Sequence, residues 1–288
     1  MTAGAATRTA HRVALVGAAI ARSLSPLLHE QEAAALGLDY RYELLDLDRL
    51  PAGWTLRDGV GWTGFNVTHP AKQTVLGQLD ALSSQARDLG AVNTVTVTDG
   101  RLTGHNTDHS GFLAGLRHGL PGACLDRVLV VGAGGAGSAV AYALATVGAR
   151  VDVVDAAPGR AADLAERLRA ALPGARVEGG PAAAVGVLAA VADGVVNATP
   201  IGMDGHPGVP VDPALLDARH WVADVVYRPL ETALLAAARD RGCRVLDGGA
   251  MLVAQAADSM ALLTGATPDP DRMRRHLAAL VDPREGHR

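Results

Sequence analysis

Lys72 is the only lysine in the chain; the remaining members of its 26 basic residues are arginines. A guanidinium cannot exchange a proton near neutrality, whereas an amine does so once its surroundings lower its pKa. An arginine-biased composition also leaves the odd lysine anywhere by chance, so the count alone does not decide. Position adds to it. Asn66-Val-Thr68-His69-Pro70-Ala-Lys72 sets the amine one short turn beyond a strand end, and Gly104-His-Asn106-Thr107-Asp108 sets a carboxylate at a strand-to-helix junction. An amine and a carboxylate in one pocket form a proton-transfer couple, the acid orienting and tuning the base. Asp108 also suits a helix N-cap, and the two uses are compatible.

A second pattern concerns phosphate. Val128 to Ala149 reads VLVVGAGGAGSAVAYALATVGA. A short β-branched run is followed by Gly132-Ala133-Gly134-Gly135-Ala136-Gly137, and then by apolar residues at helical spacing. Strand, glycine turn and helix in that order form the G-x-G-x-x-G dinucleotide fingerprint. The first glycine makes the turn, the second admits a pyrophosphate, the third packs helix on strand, and the helix N-terminus faces the phosphates. The stretch carries no charge and is long enough to suggest a membrane span, but four glycines at one end fit a turn, and no second such stretch exists. Glycine turns are common, so the discriminating residue is a carboxylate about 20 positions on. Val151-Asp-Val-Val-Asp155 supplies it.

These residues need elements to hold them. Strands are expected at 12–17, 40–47, 62–67, 92–97 and 101–104, with helices at 26–36, 70–79 and 108–120. Thr98-Asp99-Gly100 signals a hairpin between 92–97 and 101–104. From 126 to 248, strands near 128–131, 151–155, 194–197, 221–226 and 244–247 alternate with helices near 136–147, 158–171, 182–192 and 230–241. That alternation predicts a parallel sheet wrapped by helices. Helices at 250–264 and 271–280 close the chain. The expectation is an α/β protein of two domains: an N-terminal α/β substrate domain, 1–108 with 249–288, and a Rossmann-type dinucleotide-binding domain with a parallel sheet, 109–248. Ligands are expected in the cleft between them.

Composition excludes several classes. The 288 residues are 49% hydrophobic and 3% aromatic, with a net charge of −4. No electrostatic ground exists for nucleic acid or an anionic membrane as partner. Cys124 and Cys243 lie far apart, so neither a disulfide framework nor a zinc site is indicated. His105 and His109 share a helical spacing with Asp108 nearby, but H-E-x-x-H is absent and no metal is expected. Met1 to His11 lacks an apolar core and does not read as a secretory signal. A cytoplasmic protein, monomeric or homodimeric, acting on a small molecule is the resulting expectation.

Seven motifs occur together and in order: Ser23-Leu-Ser25-Pro26, Asn66-Val-Thr-x-Pro-x-Lys72, Gly90-Ala-Val-Asn93-Thr94, Asn106-Thr-Asp108, the glycine run, Asn197-Ala-Thr-Pro-x-Gly-Met203, and Asp247-Gly248 with Met251-Leu-Val-x-Gln255. The chain resembles the shikimate dehydrogenase family over nearly its whole length. The resemblance implies reversible oxidation of the shikimate C3 hydroxyl to 3-dehydroshikimate. It implies Lys72 and Asp108 as the catalytic pair, and Ser23 and Ser25 on the substrate carboxylate. Thr68, Asn93, Tyr227 and Gln255 would hold ring hydroxyls or the carboxylate. Gly132 to Gly137, Asp155, Arg160, Thr199, Pro200, Met203, Val225 and Gly248 would line the cofactor site. Each has a plainer use: Ser25-Pro26 as a helix start, Asn93 as a turn pin, Tyr227 as a packed ring.

The cofactor is where the chain departs from the commonest pattern. NADP-using members usually carry Asn-Arg-Thr after the second strand; here the stretch is Asp155-Ala-Ala157, with no arginine until Arg160. A carboxylate pairs with the ribose hydroxyls of NAD and repels a 2′-phosphate, so NAD is expected over NADP; an Arg160 that swings over would restore NADP. This departure, with His69 and His105, resembles the actinobacterial quinate/shikimate branch. Ser25, often Thr in that branch, matches strict shikimate enzymes. Shikimate, quinate and amino-shikimate all remain as substrates. A non-catalytic dinucleotide sensor would not need both Lys72 and Asp108. A tRNA-linked dehydrogenase is disfavoured by the lack of a basic patch, and a folate-linked one by the first-half motifs.

Overall fold

The computed structural model describes residues 10–59 and 61–281; residues 1–9 of the polar N-terminal stretch lie outside them. The chain forms two compact units, Met1–Thr107 with Ala256–Arg288, and Asp108–Gln255. Among the described residues no helix is long and apolar enough to cross a membrane.

The first unit is built on a six-stranded mixed sheet in the order β2-β1-β3-β5-β6-β4. The strands are β1 (Ala10–Gly17), β2 (Asp39–Asp46), β3 (Gly64–Val67), β4 (Ala81–Leu82), β5 (Thr94–Thr98) and β6 (Arg101–His105). β1 runs parallel to β2 and β3, and β5 runs antiparallel to β3 and β6. The β5–β6 hairpin closes with Thr98 opposite Arg101. Asp99 and Gly100 both take positive φ, 51° and 74°, as a two-residue hairpin turn demands.

Side chains alternate across a strand, and both faces of this sheet are covered. Val13, Leu15, Tyr40 and Tyr42 pack with Ile20, Ala33, Met260 and Leu263, bringing in α1 (Ser25–Ala35) and the end of α9 (Gly248–Thr264). Ala14, Val16, Phe65, Val67 and Val95 face the other way, onto Trp62, Val75, Ala86 and Val92. α2 (Ala71–Thr74) and α3 (Ser84–Leu89) lie in that second layer. α10 (Pro270–Val281) is clipped to α1: the fully buried Glu32 carboxylate receives Nε and Nη2 of Arg272 at 2.8 and 2.6 Å and the Asp269 N–H at 2.7 Å.

The second unit holds six strands, all parallel, in the order β12-β11-β10-β7-β8-β9. They are β7 (Arg127–Val131), β8 (Arg150–Asp155), β9 (Arg176–Pro181), β10 (Gly194–Asn197), β11 (Trp221–Asp224) and β12 (Arg244–Leu246). Counted from β7 this is the doubly wound order 3-2-1-4-5-6, and the direction of winding reverses between β7 and β10. The helices are α4 (Asp108–Gly119), α5 (Gly135–Thr146), α6 (Arg160–Ala171), α7 (Val185–Ala189), α8 (Ala233–Asp240) and the start of α9.

Several expected elements are shorter than their apolar patterns. The helix read over 70–79 is α2 followed by a 3₁₀ turn, Val75–Gln78, and the one over 182–192 is a 3₁₀ turn, Ala182–Ala184, plus α7. β11 stops at Asp224, two residues before 226, because Asp224 turns its carboxylate onto the Val226 N–H at 3.0 Å. β9, α3 and β4 had no expectation. β9 reads Arg-Val-Glu-Gly-Gly-Pro, a poor strand by composition, and exists through its register with β8.

Candidate active site

In the second unit the loop after β7 gives its glycines separate tasks. Gly132 turns with φ 105°, and a side chain there would meet the Ala198 carbonyl. Gly137, in the first turn of α5, lies so close to β7 that a Cβ would overlap the Gly132 carbonyl oxygen. A Cβ on Gly134 would touch nothing within 4 Å, and Gly134 and Gly135 are exposed. Gly134, the N-cap of α5, has no side chain to take up the first N–H groups of the helix. This is the arrangement that receives a pyrophosphate.

At the end of β8, the Asp155 carboxylate accepts the Ala133 N–H through Oδ2 and the Ala157 N–H through Oδ1, both at 2.7 Å. The same acid thus holds the glycine loop and its own turn, and Oδ2 carries one of these bonds against a capacity for two. Arg160, the first residue of α6, reaches Asp155 Oδ1 at 3.5 Å.

The ends of β10 and β11 carry the next group. Asn197 and Asp224 are register partners, and Asn197 donates to Asp224 at 2.9 Å. Thr199 and Pro200 follow β10, with Met203 exposed further along the same loop. Val225 N–H donates to the Asn197 carbonyl at 3.0 Å. Gly248 opens α9 against this segment: its N–H reaches the Val226 carbonyl at 3.2 Å, and a Cβ would overlap the Val225 and Val226 carbonyls. Tyr227 is partly buried, and burial pushes its hydroxyl up from the ordinary phenol range.

α4 presents Asp108, Gly111, Phe112 and Gly115 as its buried face. Gly111 packs on the backbone of Gln255 and Gly115 on Ala250 and Met251. Asp108 and Gln255 are therefore brought to one helix–helix contact, a turn apart. Asp108 is the first residue of α4, where a carboxylate favours the positive end of the helix.

The first unit gathers the remaining candidates. The loops after β1 and β3 are laced together: Thr68 N–H donates to Val16 at 2.9 Å and Ala18 N–H to His69 at 3.0 Å. Ala71 N–H closes onto the Thr68 carbonyl at 2.8 Å, and α2 then presents Lys72, half-buried. The Lys72 carbonyl accepts the Val92 N–H at 2.8 Å, and Val67 N–H reaches the Asn93 carbonyl at 2.8 Å. Thr68, Lys72 and Asn93 thus share one backbone neighbourhood. Ser23 Oγ accepts the Ser25 N–H at 3.2 Å, which sets the two serines side by side at the start of α1.

A buried polar chain connects these residues. The Tyr42 hydroxyl lies beside Ser25 and donates to Asn66 Oδ1 at 2.9 Å. Asn66 Nδ2 donates to Ser259 Oγ at 2.6 Å. Thr94 Oγ1 is 3.1 Å from both Ser259 Oγ and Asn93 Oδ1. Asn93 then holds Thr107, accepting its N–H at 2.8 Å and donating to its Oγ1 at 2.9 Å. Asn93 does pin a turn. That turn is the one immediately before Asp108. Sequence reading assigned no role to Tyr42, Ser259 or Thr94. A polar residue on the core-facing side of an otherwise apolar strand, or of the apolar helix α9 for Ser259, was the available signal.

Comparison with known proteins agrees with this architecture. The profile of the shikimate dehydrogenase substrate binding domain matches residues 15–95. The shikimate dehydrogenase (NADP(+)) of Pseudarthrobacter chlorophenolicus is 52% identical over 277 residues, 93% of this chain and 94% of that protein. The quinate/shikimate dehydrogenase (NAD(+)) of Corynebacterium efficiens is 47% identical over 275 residues, 92% of this chain and 97% of that protein. Among solved structures, quinate dehydrogenase from Corynebacterium glutamicum in complex with NAD superposes with a TM-score of 0.89 at 45% identity, covering 94% and 99% of the two chains. The chain belongs to the shikimate dehydrogenase family.

Proposed function

We propose that this protein oxidises shikimate, and quinate beside it, reversibly at the ring C3 hydroxyl, with NAD as the preferred acceptor. The bound dinucleotide would supply the hydride acceptor. Lys72 takes the hydroxyl proton, and Asp108 orients the amine and completes the acid–base pair. Ser23 and Ser25 hold the substrate carboxylate; Thr68, Asn93, Tyr227 and Gln255 hold the ring. The observation that carries the reading is the polar chain from Ser25 through Asn66 to Asn93, with Lys72 backbone-bonded beside it. A merely structural protein has no use for so many hydrogen-bonding groups gathered at one sheet end, given what burying them costs.

The NAD preference rests on Asp155. Its carboxylate stands at the end of β8 with acceptor capacity on Oδ2 beyond the Ala133 bond, suited to a ribose hydroxyl and repulsive to a 2′-phosphate. Arg160, beside it, favours the second reading, use of NADP, as does the name of the Pseudarthrobacter relative. The test is formation of reduced nicotinamide with shikimate, quinate and amino-shikimate in parallel, each with NAD and with NADP. Turnover of shikimate or quinate with a higher kcat/KM for NAD is expected. Absence of turnover with all three refutes the enzyme reading, and a higher kcat/KM for NADP refutes the cofactor reading.

A further inference from the structure

Asp224 is a carboxylate with only 2% of its surface exposed, at the end of β11, and the reaction outlined above does not use it. Burial pushes its carboxyl up, while the hydrogen bonds it receives pull the other way. Oδ1 accepts Asn197 Nδ2 at 2.9 Å and the Val226 N–H at 3.0 Å, and Oδ2 accepts Thr232 Oγ1 at 2.8 Å. Asn197 Nδ2 and the Val226 N–H can only donate, and the Thr232 hydroxyl, able to do either, donates here, so the carboxylate satisfies all three.

What these donors belong to gives the carboxylate its interest. Asn197 also donates to the Ile201 carbonyl at 3.0 Å, and its Oδ1 receives Thr199 N–H at 3.0 Å and Thr199 Oγ1 at 2.7 Å. It therefore shapes the loop that carries Thr199, Pro200 and Met203. Val226 and Thr232 bracket the segment that carries Tyr227, and Thr232 Oγ1 also accepts the Leu235 N–H at 3.3 Å to start α8. One buried acid sets two loops at the same strand ends, one assigned to the cofactor and the other to cofactor and substrate.

We infer that Asp224, acting through Asn197 and Thr232, is the positioning residue that fixes the 199–203 and 225–232 loops in the conformation that binds the dinucleotide. The inference rests on the proposed assignment of those loops. Capping alone would call for no more than Thr232 and the Leu235 N–H. The acid adds a link between loops more than 20 residues apart in sequence. Replacing it by asparagine keeps the volume, weakens the bonds from Asn197 and Val226 by removing the charge, and makes the Thr232 hydroxyl accept where it now donates.

The experiment titrates NADH and NADPH fluorescence against the full-length protein and its variants, with thermal melts and steady-state kinetics on the same preparations. Asp224→Asn is expected to weaken dinucleotide binding about tenfold and to lower kcat at saturating substrate by a similar factor. Thr232→Val should move both in the same direction, and Thr232→Ser, which keeps the hydroxyl, should restore them to within twofold. A merely structural acid gives a lower melting temperature with affinity and kcat within twofold of the parent, and that result overturns the inference. So does a Thr232→Ser variant as impaired as Thr232→Val. If Asp224→Asn does not fold, the two Thr232 variants decide alone. The fluorescence titration needs no turnover. A parent that binds dinucleotide yet oxidises neither shikimate nor quinate refutes the proposed function and leaves the positioning test intact.

Discussion

Asp155→Asn is the substitution that separates the two nicotinamide cofactors. It keeps the side-chain shape and one acceptor oxygen while removing the charge. Two unit charges about 4 Å apart interact by ~1 kcal/mol in water and ~4 kcal/mol at the effective dielectric near a protein surface. The Asp155 side chain is 9% exposed and Arg160 57%, so the position lies between those limits. About 2 kcal/mol is then the repulsion released for a 2′-phosphate, ~30-fold in kcat/KM for NADP. NAD loses a charged acceptor on its ribose, worth about 1.5 kcal/mol or roughly tenfold. The NADP-to-NAD ratio should therefore rise by about 300-fold. The assay measures kcat/KM for both cofactors at saturating substrate. A melting curve controls for the Ala133 and Ala157 N–H groups that Asp155 also holds. Arg160→Ala, which strips the carboxylate of its neighbouring cation, should shift the ratio toward NAD. A ratio that stays within threefold of the parent in Asp155→Asn refutes the argument.

Lys72→Arg keeps the positive charge and removes the proton exchange; kcat should fall by about 10²–10⁴ while dinucleotide affinity by fluorescence stays put, and turnover within threefold of the parent would sink the catalytic role. Gly137→Ala sets a methyl against the Gly132 carbonyl and should cost roughly 1–3 kcal/mol of stability together with most of the dinucleotide affinity; a variant that binds NADH normally contradicts the close approach of α5 to β7. His29 is wholly buried, its Nδ1 3.2 Å from the Tyr40 hydroxyl, and burial lowers its pKa to about 4. The unfolded chain, with an ordinary imidazole near 6.5, binds more protons between those values, so this contribution to stability is present above pH 6.5 and lost on acidification. At pH 4.5 the loss amounts to about 2.5 kcal/mol. Urea titrations of the parent and His29→Gln at pH 7 and 4.5 check it, and equal pH slopes in the two proteins would count against the burial argument.

The parts of this molecule that were legible in its sequence are those whose cause is local. Val128 to Gly137 announces strand, turn and helix because β-branched run, glycines and helical spacing are each read within a dozen residues, and β7, the turn and α5 follow that reading. Asp99-Gly100 announces its hairpin for the same reason. β9 was invisible because Gly179, Gly180 and Pro181 give it no propensity of its own; β8 supplies the hydrogen bonds that make it a strand. The candidate site divides along the same line. Lys72, Asp108 and Asp155 stand out by residue type and by position at an element's end. What holds the site together does not, since Tyr42 finds Asn66 across 24 residues and Asn66 finds Ser259 across 193.

That division has a physical consequence for how roles are assigned. A buried amide such as Asn93 has a limited set of donors and acceptors, and here two of its bonds go to Thr107. The turn it pins is Asn106-Thr107, and the next residue is Asp108, so an asparagine that holds this backbone also sets where the carboxylate begins. The same logic applies to Asp155, which anchors the glycine loop through Ala133 and its own turn through Ala157. In both cases the group suited to contact a ligand is the group that fixes its own neighbourhood. Within each unit, a side chain proposed to meet a ligand is thus already fixed by its own backbone bonds, which lowers the reorganisation that binding would cost.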